Sequence, residues 1–464
     1  MKTLRNPSGR ATRPAGALAA LAGMAGAVLL ALAAGNAGAQ TAPAAPAAPA
    51  DPAAAAAQSS TEPGQTPLGE SFETQQDRRD RIRVQRRQAF EDTKFDVQLR
   101  TYMLDRDKYD ESQSYAWALG GSAGLKTGYF RDRFAFGLTG YTSQPLDAPK
   151  DKDGTLLLAP GQEGYSVLGE AYLQLRLADG VYVNAGRKLF DTPYINRNDI
   201  RMTPATFEAI AIQGVVGDAK TGEWRFGAGY FDEIKERNSD EFVSMAIDAG
   251  ADVERGVYSA GANYQKGDWS LGAIDYYSDD IINIVYGEAR YTMPLADERQ
   301  FRLAAQYTSQ QAVGDNLLQG NDFTAEQFGV KAEVALGPAL LTVAYTGTGD
   351  GTNMQSPWSG YPGYTSVQVE DFNRAGEDAV LLRASYSFRT SPGISVYALW
   401  VNGSDPDSPT EYARDEYDFN LQWQPASGPL KGLMFRLRYA YIDQGNGTDL
   451  EDYRLMVYYD PPKL

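Results

Sequence analysis

Residues 432–443 read GLMFRLRYAYID and place two arginines inside a strongly apolar run. Arg436 and Arg438 stand two positions apart, and leucine, phenylalanine and tyrosine occupy the alternate positions. Because successive side chains of a β-strand point to opposite faces, one face carries both arginines and the other is apolar. An arginine that faces lipid at the bilayer midplane costs roughly 2–4 kcal/mol in a β-barrel. The pattern therefore predicts a membrane-spanning strand whose arginines point into a water-filled lumen.

The same alternation recurs along most of the chain after residue 94. Segments of this kind number about eighteen, and each is near the ten-residue length of a tilted spanning strand. No helical spacing competes over comparable lengths. The pattern predicts an all-β fold, a transmembrane antiparallel β-barrel of about 18 strands. Clear examples lie at residues 95–104, 165–177, 300–308, 327–336 and 415–424.

Two classes of connection alternate between the predicted strands. Short turns on one side and long loops on the other are typical of outer-membrane barrels, with the turns in the periplasm and the loops outside. Short connections are predicted at 129–132, 178–180, 266–268, 294–297, 337–338 and 390–392. Long connections are predicted at 143–162, 189–205, 234–253, 310–324, 350–376 and 403–413.

A soluble β-sandwich is the alternative fold, because its strands alternate in the same way. A sandwich does not need aromatic residues at both ends of its apolar face, whereas a membrane barrel carries interfacial girdles there. This difference favours the barrel. The tyrosines interpreted as girdle residues are Tyr165, Tyr439, Tyr441, Tyr453 and Tyr459.

The N-terminal part has the composition of an exported precursor. Residues 1–39 combine four basic residues, an apolar stretch at 15–34 and the sequence AGA before Gln40, which predicts a cleaved signal peptide. A membrane anchor is the alternative. Residues 40–93 are interpreted as a Pro/Ala-rich disordered linker and a charged segment. Residues 94–464 would form the barrel, and the predicted location is the cell outer membrane.

Composition excludes several function classes. The chain has no cysteine and no histidine, so histidine-dependent barrel lipase or protease chemistry is excluded and no enzyme activity is predicted. The mature chain would carry 39 basic and 60 acidic residues, a formal charge of −21, which argues against nucleic-acid binding. No cofactor and no metal are predicted, since the acidic loop at 443–452 lacks EF-hand spacing.

Other cations fall on the predicted inner faces of strands. A row of them could form a basic ladder for carboxylates, because a guanidinium binds a carboxylate through a planar fork. The alternative is that they neutralise the inward acidic residues Asp96, Glu170, Glu288, Glu333 and Asp418 in scattered salt bridges. The predicted inward cations are Arg100, Arg176, Arg290, Arg302, Lys331, Arg383, Arg436, Arg438 and Arg454.

Several ordered segments resemble the OprD family of outer-membrane porins. The most specific is AGRKLFDTPYINRNDIRMTPATFEA at 185–209, which resembles the end of a strand followed by that family's third extracellular loop. The resemblance covers most of residues 95–464. Further matches are LRTYMLDRD (99–107), AGEDAVLLRASYSF (375–388), SPGISVYALWVNG (391–403), SGPLKGLMFRLRYAYI (427–442) and EDYRLMVYY (451–459).

This resemblance implies an 18-stranded channel for small carboxylate-bearing nutrients, narrowed by inward-folded third and seventh loops and lined by a basic ladder. The resemblance matches Arg383, Arg436 and Arg438 to inward basic positions of the family. Alternation adds the other members of the predicted ladder, which are Arg302, Arg290, Lys331, Arg454 and Arg100. The implied constriction residues are Asp191, Asn196, Asn198, Asp199 and Arg201 in the third loop, and Trp358, Tyr361 and Tyr364 in the seventh. Turn chemistry is the alternative explanation for the third-loop Asn and Asp residues.

Two departures from the family pattern stand out. The penultimate hairpin strand reads DFNLQWQ and has Asn420 and Gln422 where family members carry inward arginines, which predicts a shorter ladder. The chain also ends in DPPKL rather than in an aromatic residue.

The predicted function is passive, selective diffusion of amino acids, aromatic or other small organic acids, or short peptides. A non-selective or structural barrel, such as a general porin or an adhesin-like protein, is the alternative. The predicted partners are small-molecule solutes, outer-membrane lipid and lipopolysaccharide, and the barrel assembly machinery, with no nucleic acid. The sequence leaves monomer and homotrimer open.

Overall fold

The computed structural model describes residues 75–218, 220–296 and 299–461. The predicted signal peptide at 1–39 and the Pro/Ala-rich part of the predicted linker lie outside the described residues. The charged segment forms helix α1, Gln75–Glu91. A backbone hydrogen bond of 3.0 Å from Gly128 N to Ala89 O joins the end of α1 to the first short turn. No helix in the described ranges is both long and apolar enough to cross a membrane.

Nineteen strands follow α1 in one antiparallel sheet. A 3₁₀ turn, Lys150–Lys152, and a short helix α2, Met245–Asp248, lie in the long connections. The strands are β1 Lys94–Asp107, β2 Gln113–Lys126, β3 Phe134–Asp147, β4 Tyr165–Ala178, β5 Val181–Lys188, β6 Thr206–Asp218, β7 Gly222–Lys235, β8 Val243–Ser244, β9 Val257–Lys266, β10 Trp269–Ser278, β11 Ile282–Pro294, β12 Arg299–Gln311, β13 Thr324–Leu336, β14 Ala339–Thr348, β15 Asp378–Ser387, β16 Ile394–Ser404, β17 Arg414–Trp423, β18 Leu433–Asp443 and β19 Asp449–Tyr459.

The sheet closes on itself because β1 pairs with both β2 and β19. The two-residue strand β8 only flanks β7, and β7 pairs with β9 directly. Eighteen strands therefore form the ring, and the predicted 18-stranded antiparallel barrel is confirmed. Closure leaves no free sheet edge, which is the condition for a sheet to span a membrane.

The outer face of the barrel carries the apolar half of each alternating pattern. On β13, Phe328 and Val330 are 49% and 48% exposed, whereas the neighbouring Gln327 is buried inside. Aromatic pairs stack near strand ends, as Trp269 and Tyr291 do with 4.5 Å between ring centroids. The outer face thus has the apolar belt and aromatic borders of a barrel that contacts lipid.

Charging this outer face should destabilise the barrel. Val330 is the seventh of the thirteen residues of β13, so its side chain lies near the middle of the belt. Val330→Arg is expected to lower the free energy of unfolding by about 2–4 kcal/mol in lipid vesicles, measured by urea titration. Lys331→Arg, one residue along and facing the lumen, should leave that free energy within about 0.5 kcal/mol of the wild-type value. Equal effects of the two substitutions would contradict the assigned faces.

One girdle prediction was wrong. Tyr165 was expected to face lipid on the side of β4 that carries Leu173, but it is only 4% exposed inside the barrel. The pairing partner of β3 on β4 jumps from Glu170 to Leu168, which leaves Gly169 as an extra residue. Such a β-bulge reverses the faces on either side of it. The Tyr165 hydroxyl therefore points inward and donates a 2.8 Å hydrogen bond to Arg237 O.

Three long connections supply much of the barrel interior. They are loop 3 (189–205), loop 4 (236–256) and loop 7 (349–377). A ring of 18 strands encloses more space than wall side chains can fill, and side chains from all three loops pack in one buried apolar cluster with β6, β7 and β9–β11. Its largest members include Phe190, Tyr194, Ile195, Phe207, Phe231, Met245, Tyr276, Tyr286 and Trp358.

Candidate functional site

Loops 3 and 7 contact each other inside the barrel, in the region where the family resemblance implies a constriction. Ile195 and Ser359 form an isolated antiparallel bridge between the two loops. The Asn198 side-chain amide donates a hydrogen bond to Ser359 O, which closes the same contact. Because both loops contribute backbone to the junction, neither can move outward without breaking it.

Loop 4 is the third part of this junction, and the sequence analysis missed it. The indole N–H of Trp358 in loop 7 donates a 3.0 Å hydrogen bond to Met245 O, at the start of α2. Trp358 is completely buried in the apolar cluster, so it anchors loop 7 and does not line the pore. An indole of this size is stable there because its N–H has a partner. No local pattern in 234–253 indicated that this segment folds inward.

Loop 7 is also held on the wall formed by β17 and β19. The two carboxylate oxygens of Glu416 accept hydrogen bonds of 2.8 Å from the backbone N–H groups of Val369 and Glu370. Arg454 donates a 3.0 Å hydrogen bond to Gln368 O, and the Gln368 amide donates one of 2.8 Å to Asp452. These bonds satisfy backbone groups that would otherwise be buried without partners.

A buried ion-pair network continues this attachment. Arg414 on β17 pairs with Glu370 and, at 3.2 Å, with Glu377. Arg374 pairs with the same Glu377, and Tyr109 donates a 2.6 Å hydrogen bond to Glu370. Glu377 is fully buried. The network therefore attaches the C-terminal part of loop 7 to the barrel wall at two points, Glu370 and Glu377.

Loop 7 is attached on the β19 side of the seam between β1 and β19, and loop 3 is attached on the β1 side. Arg100 makes a two-pronged ion pair with Asp199, with 2.7 Å between Nη2 and Oδ2. Arg201 donates a 2.9 Å hydrogen bond to Thr155 O in the long connection between β3 and β4. Burial, together with the charge of Arg454, lowers the pKa of Arg201 to about 9. Arg201 stays protonated at neutral pH and adds positive charge to the constriction.

The other predicted constriction residues have local or wall contacts. In loop 3, Asp191 pairs with Arg197, and the Asn196 amide donates to Pro193 O at 3.3 Å. In loop 7, the Tyr361 and Tyr364 hydroxyls each donate a 2.7 Å hydrogen bond to the wall, to Gln327 and Glu288 respectively. Burial raises the pKa of Tyr364, and its bond to the Glu288 carboxylate raises it further.

Four of the eight predicted ladder cations have an acidic partner. Arg100 is bound to Asp199, and Arg454 is bound to Asp452 beneath loop 7 and is only 1% exposed. Pairing cancels much of the field that each arginine would present to a passing anion. The remaining two pairs are Arg290 with Glu288 at 2.6 Å and Arg302 with Glu333 at 3.8 Å.

The other four cations have no carboxylate within 4.0 Å among the described residues. Lys331 lies 4.2 Å from the centre of the Tyr364 ring. Arg383 lies 4.0 Å from the centre of the Tyr397 ring and donates to Ser385 Oγ at 3.2 Å.

Arg436 and Arg438 complete this group on β18. Arg436 donates a hydrogen bond to Asn420 on β17. The buried Nε of Arg438 has no hydrogen-bond partner in the described part of the chain. Asn420, a departure from the family pattern, therefore orients a neighbouring arginine without neutralising it.

One stretch of the barrel wall carries Arg383, Arg436 and Arg438, because β15 to β18 are consecutive in the ring. We call this stretch, with Tyr397 and Asn420 between its arginines, the basic wall. The register brings Asn420 opposite both Tyr397 and Arg438. Tyr397 was not predicted, although its alternation with Val396 and Ala398 could have indicated an inward position.

Arg237 of loop 4 was also not predicted, because the loop was expected to lie outside. Its Nε is buried without a hydrogen-bond partner among the described residues, and the Glu236 carboxylate lies 3.9 Å from it. Burial lowers the pKa of Arg237, and the neighbouring charge of Arg454 contributes to the lowering. The constriction thus holds two arginines, Arg201 and Arg237, without close ion pairs.

Comparison with known proteins assigns the barrel to a family. The sequence matches a family model described as outer membrane porin, OprD family, over residues 88–462. A search of curated protein sequences gives no match.

Solved structures similar to this chain are barrels of the same kind. OccK9 (OpdG) of Pseudomonas aeruginosa has a TM-score of 0.73 and 23% identity, over 81% of this chain and 99% of that chain. OpdK of the same organism, solved with vanillate, has a TM-score of 0.71 and 20% identity over 80% and 99%. A BenF-like porin from Pseudomonas fluorescens Pf-5 has a TM-score of 0.71 and 17% identity over 81% and 100%. At these identities the structural likeness shows the fold alone.

Proposed function

The chain belongs to the OprD family of outer membrane porins, and from that premise we propose that it carries small carboxylate-bearing solutes along the basic wall. As a family member it is a substrate-specific channel in the outer membrane and not an enzyme. The proposed refinement is that the solutes are carboxylates and that arginines select them. Contacts with lipopolysaccharide and with the barrel assembly machinery stay predictions.

The observation that carries this proposal is the set of arginines without acidic partners on one wall. Arg383 and Arg436 have only neutral hydrogen-bond or ring contacts in the described part of the protein. Arg438 has no carboxylate within 4.0 Å there, and the buried Asp418 acts on it only at longer range. A guanidinium with free N–H groups replaces the water around a carboxylate through charge-assisted hydrogen bonds. The four paired cations have less of this capacity, because a carboxylate already lies within 4.0 Å of each and offsets part of its charge.

Passage would proceed as stepwise exchange of partners. A solute passes the junction of loops 3, 4 and 7, where Arg201 and Arg237 attract its carboxylate. It then moves along the basic wall from one arginine to the next. Each step must bind weakly enough to release the solute, as conduction through any selective pore requires. Asn420 and Tyr397 separate the arginines with neutral groups, which keeps any single site from holding the carboxylate too strongly.

One similar structure supports the solute class without identifying the solute. OpdK was solved with vanillate, which is an aromatic carboxylate. At 20% identity this observation does not transfer a ligand to the present chain, but it is compatible with a carboxylate as the recognised group.

Neutralising the basic wall tests the proposal. The triple variant Arg383→Gln, Arg436→Gln and Arg438→Gln is expected to lower gluconate flux into proteoliposomes by about tenfold, because a hydrogen bond to a charged group contributes about 1.5–3 kcal/mol. Glucose, which matches gluconate in size but has no charge, should enter at the wild-type rate. Arg302→Gln, which removes an already paired arginine, serves as the control with a smaller effect. If the triple variant slowed both solutes equally, or neither, the proposed function would be wrong.

A further inference from the structure

A second region of the lumen has a chemistry different from that of the basic wall. It is a cavity of about 540 Å³ beneath loop 3, bounded by the inner faces of β6, β7 and β9–β11. We call it the chamber. Its volume falls within the range of about 300–1,000 Å³ that is usual for small-molecule sites. In the ring of eighteen strands β9 is eighth and β17 is sixteenth, so the chamber and the basic wall lie on nearly opposite sides of the lumen.

Four glycines line the chamber, and Gly227 is the one that leaves open space. Gly227, Gly229, Gly261 and Gly272 line it where other wall positions carry side chains. An added Cβ at Gly227 would meet no atom closer than Ile212 O at 3.5 Å, which is ordinary contact. The space in front of Gly227 is therefore open to a solute and not filled by a neighbouring side chain.

The polar groups of the chamber are mostly uncharged. The Asn184 amide donates to Gln213 Oε1 at 3.2 Å, and Asn263 exchanges hydrogen bonds with Ser270. Among the described residues, Nε2 of Gln213 and the amide of Gln265 form no hydrogen bonds, so both can serve a solute.

The charged groups at its border are already paired. Arg225 binds Glu223 at 2.7 Å, and Arg290 binds Glu288 at 2.6 Å. The chamber thus offers amides and hydroxyls beside apolar side chains such as Phe190 and Phe231, and it carries little net charge.

From this geometry we infer that the chamber binds the uncharged, hydroxyl-bearing body of the solute, at a step of passage separate from the one in which the basic wall binds its carboxylate. This inference rests on the proposed function and narrows it to polyhydroxylated carboxylates, such as sugar acids. Amide groups donate to and accept from hydroxyls equally well. A site built to hydrogen-bond hydroxyls discriminates strongly against an analogue that lacks them, because its own polar groups are then left without partners.

Gluconate and hexanoate make a matched pair of probes. Both are six-carbon monocarboxylates, and they differ in the five hydroxyls that only gluconate carries. Their permeability ratio can be measured from reversal potentials of single channels in planar bilayers with one sodium salt on each side. The wild-type channel is expected to favour gluconate by about threefold or more.

Two variants test the chamber: one fills its volume, and the other removes its free amide groups. Gly227→Leu fills it and is expected to bring the permeability ratio close to one. The double variant Gln213→Leu and Gln265→Leu keeps its volume, removes the free amides and should lower the ratio as well. Gly287→Leu is the control, since it adds the same side chain to the lipid face of β11, where an added Cβ meets nothing closer than 3.9 Å. Its ratio should equal that of the wild type.

The possible outcomes separate this inference from the proposed function. A wild-type ratio of one or below, or a ratio unchanged in both the Gly227→Leu channel and the double variant, would overturn the role of the chamber. In that case gluconate could still enter faster than glucose through the basic wall. If gluconate showed no advantage over glucose in proteoliposomes, the proposed function itself would fail, whatever the ratio of gluconate to hexanoate.

Discussion

Replacing Arg414 with Met is expected to release loop 7 from the wall and raise the single-channel conductance. Arg414 is 6% exposed and is the shared partner of two carboxylates, Glu370 and Glu377. Removing one member of a buried ion pair leaves an uncompensated charge and costs about 3–5 kcal/mol. Because both carboxylates belong to loop 7, the chain can lower this cost by moving that loop toward water.

The displacement should widen the lumen. A penalty of about 3 kcal/mol changes the ratio of docked to released loop by roughly a hundredfold. Current recordings are therefore expected to show a larger conductance with frequent transitions, because the released loop still enters the lumen at times. The barrel strands should remain folded, since their hydrogen-bond ladders do not involve Arg414 side-chain contacts. The heat-dependent gel mobility of the barrel provides the check on folding.

A second substitution should reverse this effect. Adding Glu370→Gln to Arg414→Met removes the carboxylate that the single substitution leaves without an ion pair among the described residues. It also keeps an acceptor for the Tyr109 hydroxyl, which donates to Glu370 at 2.6 Å in the wild type. Glu377 retains Arg374 as its partner. The double variant is therefore expected to conduct more like the wild type than the single variant does. A single variant with unchanged conductance and a folded barrel would show that this network does not hold the loop.

The strand framework was predictable because its signal is local. Each spanning strand alternates within about ten residues, so the pattern is complete before any distant contact forms. The face predicted for Tyr165 on β4 is the exception. Gly169 is one extra residue in β4, and it reversed the face of Tyr165. A glycine in a strand can mark such a bulge, but the sequence around Gly169 gave no indication of which partner strand would lose register.

The division of the cations was not predictable from alternation. Arg383 and Arg454 are both inward residues on spanning strands and look equivalent in the sequence. In the folded chain, Arg454 lies under loop 7 and binds Asp452 and Gln368, whereas the polar and ring contacts of Arg383 within the described ranges are with Tyr397 and Ser385. The difference arises from a loop almost ninety residues away from Arg454. Contacts of this range depend on how the loops fill the barrel, which no local pattern encodes.

Trp358→Ala is expected to disconnect loop 7 from loops 3 and 4. The indole is fully buried among residues of all three loops, and its N–H binds Met245 O at 3.0 Å. Truncating a buried tryptophan to alanine costs about 3–5 kcal/mol, which combines lost apolar burial with the cavity that remains. The cost falls on loop docking, because loops can separate whereas the closed ring of strands cannot relax into the cavity.

The expected readout differs from that of Arg414→Met. Loop 7 should keep its attachment to β17 through Glu416 and Arg414, so only its Trp358 end should swing away from Met245. The junction of Ile195 with Ser359 adjoins Trp358 and should open with it. Conductance is therefore expected to rise, and proteolysis in intact cells should cut near residue 358 before it cuts near residue 370.

A conservative substitution separates packing from hydrogen bonding at this position. Trp358→Phe keeps most of the apolar surface but gives up the N–H bond to Met245 O, which leaves a buried carbonyl without that partner. Its cost should be smaller, about 1–3 kcal/mol, and its conductance should lie between the values of the wild type and Trp358→Ala. If both variants conducted like the wild type and resisted proteolysis, the three-loop junction would depend on other contacts. Trp358 would then pack in the apolar cluster without holding the loops together.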